Sequence, residues 1–167
     1  MKRDDQSGVA LGGNKVRKLE YLVGDALYHR ADTLVSGGAA QSNHCRQTAA
    51  VAAMTGLACH LALGGQAPEH LEGNLLLNAF FNAKVHWCGN QRKGEMIPEI
   101  CNDLVQEGKK PYVVPYGGSN ATGALGFVDA MTELKLQLAA GRFSLSHIVF
   151  VSSSGGTHAG LLVGAYL

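Results

Sequence analysis

Thr33-Leu34-Val35-Ser36-Gly37-Gly38-Ala39-Ala40-Gln41-Ser42-Asn43-His44 runs from an apolar stretch through small and polar residues into an alanine-rich helical pattern. A short apolar run closed by glycine reads as a buried strand, and Ser42 or Asn43 is suited to N-cap the helix that continues to about Thr55. The same order of apolar strand, Gly/Ser/Asn loop and helix start recurs over 112–123 and 147–158. Working outward, a helix is predicted from Asn14 to about Arg30 from the spacing of Leu19, Leu22, Val23, Ala26 and Leu27. Strands are predicted at 33–35, 57–63, 84–88, 111–115 and 147–151, with His147–Val151 the most apolar. Helices over 71–82, 95–107, 122–139 and 158–167 alternate with them. Strands separated by helices of this length imply right-handed crossovers and a parallel sheet, that is, an α/β fold. In such sheets the strand-to-helix loops lie at the carboxyl ends of the strands, where ligands bind. Three loops of one kind therefore predict a site.

The bulk composition agrees with a globular chain and narrows the function. Its 167 residues are 46% hydrophobic and 16% charged, with a net charge of +1, which leaves no electrostatic footprint for nucleic acid or an anionic membrane. No apolar run approaches the ~18 residues of a membrane span. Cys45, Cys59, Cys88 and Cys101 have no CxxC spacing and read as reduced thiols of a cytoplasmic protein. The opening residues, Met1-Lys2-Arg3-Asp4-Asp5, lack the apolar core of a signal peptide. They read as the end of a strand, and the last residues as a helix without a C-cap. The chain is therefore expected to be an interior piece of a longer protein.

Gly12-Gly13-Asn14-Lys15-Val16-Arg17-Lys18 places three cations at a helix N-terminus, where the macrodipole favours anions. A solvated basic helix start is one reading. The other is functional: neighbouring cations and a positive helix end lower the pKa of Lys15 and free its amine to attack an aldehyde. Ser152-Ser153-Ser154-Gly155-Gly156-Thr157 follows a strand and opens a helix, so its N–H groups and hydroxyls suit a phosphate. It is neither a Walker loop nor a GxGxxG turn, and a plain glycine-rich strand–helix turn is the alternative. Gln41-Ser42-Asn43-His44 offers hydrogen-bonding groups or simply a helix cap. Gly117-Gly118-Ser119-Asn120 suits a carboxylate or, equally, a turn and cap. His44-Cys45 is discounted as a nucleophile pair, because sequence neighbours on a helix face different ways. The other histidines have no metal-ligand spacing. Asp4-Asp5 suggests acid–base work or, beside Lys2 and Arg3, ion pairs, and ion pairs are expected. An imine-forming lysine, a phosphate cradle without nucleotide features and polar loops are the combination that pyridoxal phosphate requires.

Lys2-Arg-Asp-Asp5, Gly12 to Glu20, Gln41-Ser-Asn-His44, Arg46-Gln-Thr48, Gly117-Gly-Ser-Asn120 and Ser154-Gly-Gly-Thr-His-Ala-Gly160 together resemble the D-cysteine desulfhydrase and 1-aminocyclopropane-1-carboxylate deaminase family. These are pyridoxal-phosphate enzymes of the tryptophan-synthase-β fold type (fold type II). The resemblance implies that Lys15 carries the cofactor and moves the α-proton. It implies Asn43 at the cofactor's ring hydroxyl, and Ser154, Gly155, Gly156 and Thr157 at its phosphate. Gln41, Ser42, Gly117, Gly118, Ser119 and Asn120 would lie at the substrate, with Ser42 also taking part in catalysis. It further implies a small three-layer α/β domain over 18–127 and an incomplete large domain from 1–17 and 128–167. A homodimer is implied for the full-length form. The expected reaction is β-elimination from a small amino acid, D-cysteine first. The alternatives are 1-aminocyclopropane-1-carboxylate deamination, L-cysteate sulfo-lysis, or a silent fragment that only binds a phosphate ligand. His44 and the loop over 117–126 resemble the desulfhydrase branch. The family's C-terminal part, with its contacts to the cofactor ring, is absent from the sequence.

Overall fold

A computed structural model describes residues 2–167. Four parallel strands form one sheet: β1 (Thr33–Ala39), β2 (Ala58–Gly64), β3 (Lys84–Trp87) and β4 (Pro111–Val113), in the order β3-β2-β1-β4. Six helices accompany them: α1 (Lys15–Tyr28), α2 (Asn43–Thr55), α3 (Gly73–Phe80), α4 (Ile97–Gln106), α5 (Ala121–Gly141) and α6 (Gly156–Tyr166).

Alternation along β1 sets up the layers. Leu34 joins Leu61 and Leu63 of β2 in a core shared with Leu19, Leu22 and Ala26 of α1 and Ala49 and Ala52 of α2. Val35 and Ala62 face the other way, onto Ile97, Ile100 and Leu104 of α4. A strand covered on both faces has no polar side, which is why the run of β1 is apolar or small throughout. The structure extends β1 four residues beyond the predicted strand at 33–35, so Gly37 and Gly38 belong to the sheet. A Cβ at Gly37 would stand 2.7 Å from the Gly94 backbone, and only glycine admits that crossing chain.

Two predicted strands are corrected. The opening residues form a 3-10 turn over Asp4–Gln6 instead of a strand end. Residues 147–151 form no strand and pair with none among the described residues, and Val149 is 94% exposed. Apolar β-branched residues favour extended backbone, but a strand also needs a neighbour to complete its ladder, and none lies beside this segment.

Helix α5 runs unbroken through the domain boundary expected near 127. Its first half packs on α1, and α6 packs along it. The contacts are close: a Cβ on Gly126 would fall 2.0 Å from the Arg17 carbonyl oxygen, and one on Gly160 would fall 2.3 Å from that of Ala124.

Candidate active site

The loops and helix starts of the three predicted units converge, although only two of the three follow a strand. The β1–α2, β4–α5 and 152–155 loops border one cavity of about 640 Å³, together with the start of α1. Lys15, Ser42, Asn43, Gly117, Ser154, Gly155 and Thr157 all line it. The remaining expected site residues, Gly156, Gln41, Gly118, Ser119 and Asn120, do not line it, and Gln41 and Asn120 are exposed.

One side of the site is built from hydroxyls and a buried cation. Ser119 Oγ and Ser154 Oγ lie 2.6 Å apart. Lys18 Nζ donates to Ser119 Oγ and to the Gly117 carbonyl, each at 3.2 Å. A Cβ on Gly156 would meet Ser119 Oγ at 2.7 Å and Lys18 Nζ at 3.0 Å, so glycine there lets the turn close on these groups. Gly155 precedes α6 with φ +85°, and no side chain caps that helix. The N-terminal amides of α6 are thus left without a side-chain acceptor, in the geometry that favours an anion. Lys18 is fully buried and, among the described residues, has no carboxylate partner. Burial, then the charge of Lys15, pushes its pKa down to about 8. A buried ammonium beside two hydroxyls and an uncapped helix start is a donor set that fits a phosphate group.

Sequence reading did not assign Lys18 to this group. The available signal was its spacing: Lys15 and Lys18 are three apart and share a helix face, whereas Arg17 points elsewhere. Arg17 instead pairs with Asp4 and Glu133, both at 2.8 Å. Arg3 pairs with Asp5 as expected, whereas Asp4 is taken by Arg17, and Lys2 pairs with Glu133. The pKa of Lys15 is lowered as anticipated, but burial is the cause, in place of the neighbouring cations.

Around the lysine, side chains of α2 hold the glycine turn. The Gly12 carbonyl accepts from Arg46 Nη2 at 2.8 Å and from Gln47 Nε2 at 2.7 Å. Ser42 N-caps α2 through the Cys45 amide at 3.2 Å. Asn43 Oδ1 accepts from both Arg46 Nη1 and Asn74 Nδ2 at 2.9 Å. Two donors on one atom fix the amide orientation and leave Asn43 Nδ2 as the donor available to the cavity.

Gln41 and Asn120 have structural partners. Gln41 Oε1 accepts from the Asn74 amide at 2.7 Å and its Nε2 donates to the Glu72 carbonyl at 3.2 Å, which serves the otherwise uncapped start of α3. Asn120 Oδ1 accepts from the Gly123 amide at 2.8 Å and caps α5. Asn120→Ala is expected to cost about 1 kcal/mol of stability in urea unfolding, with an unchanged KM for any ligand of the cavity. A raised KM would make it a substrate contact. Cys45 is buried and its thiol is pushed up to about 11, which accords with discounting it as a nucleophile. Among the described residues no cluster of His, Cys, Asp or Glu suits a metal, and no helix is long and apolar enough to cross a membrane.

A lysine beside a glycine turn, an uncapped helix start lined by hydroxyls and a parallel α/β sheet together define a class, and known proteins identify it. The family model described as "Pyridoxal-phosphate dependent enzyme" matches residues 1–166, and the chain belongs to that family. A D-cysteine desulfhydrase of Yersinia enterocolitica is 50% identical over 98% of this chain and 51% of its own length. One from Klebsiella pneumoniae is 48% identical, over 98% of this chain and 52% of that relative. The chain thus spans about half the length of the curated relatives it matches. A crystal structure of an ACC deaminase homologue superposes with a TM-score of 0.85 at 40% identity, covering 98% of this chain and 50% of that one. The expected fold type II architecture and pyridoxal-phosphate dependence are both borne out.

Proposed function

We propose that the natural full-length protein eliminates the β-substituent of a small amino acid, with D-cysteine and water giving pyruvate, hydrogen sulfide and ammonia. The observation that carries this reading is the pair of lysines on the first turn of α1. Lys15 opens on the cavity and Lys18 closes onto the serine hydroxyls behind it. The relatives named D-cysteine desulfhydrase support the choice of substrate.

Pyridoxal phosphate, when bound, supplies an aldehyde for amine exchange and a ring that delocalises the charge left at the α-carbon. Lys18, Ser154, Thr157 and the amides of Gly155 and Gly156 would hold its phosphate, with Ser119 behind them. Asn43 Nδ2 would donate to its ring hydroxyl. Lys15 would hold its aldehyde and, once released as an amine that burial keeps from the ammonium form, would take the substrate's α-proton. Ser42 lies beside the substrate carboxylate. Residues 18–127 act as the small domain, with 1–17 and 128–167 part of the large one. Four unpaired cysteines support a cytoplasmic setting, and the family resemblance supports a homodimer.

The likeness to an ACC deaminase homologue favours a second reading, ring-opening deamination. Offering D-cysteine, 1-aminocyclopropane-1-carboxylate and L-cysteate separately, and assaying sulfide, 2-oxobutyrate and sulfite, separates the readings. Sulfide with pyruvate from D-cysteine is expected; 2-oxobutyrate alone replaces the first reading with the second. Titrating pyridoxal phosphate into the 167-residue chain asks whether this portion binds the cofactor by itself.

A further inference from the structure

Asn74 is the second residue of α3, half-buried and away from the cavity wall, and the mechanism above gives it no part. Its side chain nonetheless reaches three residues at once. Nδ2 donates to the Gln41 carbonyl at 2.8 Å and to Asn43 Oδ1 at 2.9 Å, and Oδ1 accepts from Arg46 Nη1 at 3.1 Å. A carbonyl can only accept and a guanidinium can only donate. The Asn74 amide therefore has one orientation, with its oxygen toward Arg46 and its nitrogen toward Gln41 and Asn43. Its backbone amide donates to Gln41 Oε1 at 2.7 Å, which fastens the start of α3 to the same loop.

Asn43 is the opposite case. It is exposed at the cavity wall, and an amide has nearly the same shape with its oxygen and nitrogen exchanged, so packing does not choose between them. The choice is made from behind. Asn74 Nδ2 and Arg46 Nη1 both aim a donor at one end of the Asn43 amide, so that end is the oxygen. The nitrogen takes the other end, where it makes no hydrogen bond among the described residues. Arg46 is anchored on the Gly12 carbonyl at 2.8 Å and, among the described residues, has no carboxylate to draw its charge away. Neither Asn74 nor Arg46 lines the cavity, yet together they decide which end of Asn43 a ligand meets.

We propose that Asn74, backed by Arg46, is a positioning residue for the reaction: it holds the Asn43 amide with its nitrogen turned to the ligand, so that a ligand oxygen is received there as a hydrogen-bond acceptor. The inference rests on the reading of the cavity as a pyridoxal-phosphate site in which Asn43 meets the ring hydroxyl. It gives α3, which has no residue on the cavity, a share in the selectivity of the site.

The test uses the natural full-length protein, freed of cofactor and titrated with pyridoxal phosphate or with 3-deoxypyridoxal phosphate, which lacks the ring hydroxyl. Asn74→Ala removes the donor to Asn43 and the acceptor for Arg46. Asn74→Asp keeps the shape but sets an acceptor against Asn43 Oδ1 and draws Arg46 into an ion pair, so the Asn43 amide turns its oxygen to the ligand. Relative to wild type, affinity for pyridoxal phosphate should fall about fivefold in Asn74→Ala and about tenfold or more in Asn74→Asp, with 3-deoxypyridoxal phosphate within about twofold in both. Asn43→Ala should lose about tenfold, and adding Asn74→Ala to it should change affinity by less than about twofold, because the one residue acts through the other. A packing role predicts the reverse order, since aspartate fills the same space, gains an ion pair and suits the first turn of a helix. Should Asn74→Asp not fold, the Asn74→Ala losses on the two ligands and the cycle with Asn43→Ala decide. Wild-type affinity in Asn74→Asp, equal losses on both ligands, or additive losses with Asn43→Ala overturns the proposal and leaves the proposed function standing. Wild-type protein that does not bind pyridoxal phosphate overturns the proposed function, and this inference with it.

Discussion

Lys15→Ala in the full-length protein is expected to lose both covalent attachment of pyridoxal phosphate and turnover. The proton-transfer role alone is worth roughly 10²- to 10⁴-fold in rate, and loss of the attachment point adds to that. Lys15 borders the cavity at the start of α1, where the Gly12 carbonyl is clamped by Arg46 and Gln47. The side chain is therefore aimed by a braced turn and does not sit on a free helix end. The substitution removes an amine from a partly buried position and creates no unpaired polar group, so circular dichroism should report an intact fold. The measurement is the visible absorbance of the lysine-bound cofactor, followed through gel filtration, together with the steady-state rate. Retention of that absorbance by the variant would transfer the role to another amine, and Lys18 would be the first to examine.

The second large effect concerns Lys18, and its sign depends on whether an anion is bound. In the ligand-free protein Lys18 is a fully buried ammonium whose pKa is lowered from 10.5 to about 8, chiefly by burial. Between about pH 8 and pH 10.5 the unfolded chain therefore holds more protons than the folded one, and stability rises with pH across that window. Below about pH 8 both states are protonated and the burial penalty is present in full. Lys18→Met removes the charge and fills similar space. It should stabilise the ligand-free protein at neutral pH, on the order of 1–3 kcal/mol, and flatten its stability profile above pH 8. Once a phosphate is in place the same charge becomes favourable. Affinity for pyridoxal phosphate should then fall about 10- to 100-fold in the variant, the worth of one hydrogen bond between charged groups. Urea unfolding at neutral and alkaline pH, with and without the cofactor, reads both halves. A variant that is less stable without ligand and unchanged in affinity would make Lys18 an ordinary packing residue.

What the sequence disclosed about this fold follows from how local each signal is. The helix face of Leu19, Leu22 and Ala26, the Ser42 cap and the three loop units depend on neighbours within a few positions, and they appear where expected. The segment 147–151 has strand composition without strand pairing, because pairing depends on a partner that its own residues do not encode. Gly37 and Gly38 read as loop because glycine usually ends a strand, yet they pair with Ala62 and Leu63 of β2, and the close pass of Gly94 requires glycine at 37. In the site, Lys15 stood out through its glycines and Asn43 through the motif it shares. Lys18 and Arg46 did not, since burial of a cation and a bond from α2 to the Gly12 carbonyl are long-range facts. Gln41 and Asn120 show the opposite case: a polar residue in a ligand-like motif whose side chain is engaged at a helix start.

Helix α5 lies between the element that bears Lys15 and the element that opens on Gly155, and it touches each through a glycine too small to leave slack. It therefore works as a calliper. The span between the amine and the anion cradle is gauged by backbone resting on backbone, with no pliable side chain between to absorb an error. A bulkier residue at 126 or 160 would widen that span while every reacting group stayed chemically intact. Such a lesion would blunt the enzyme from a distance, and an inspection confined to the cavity walls would miss it.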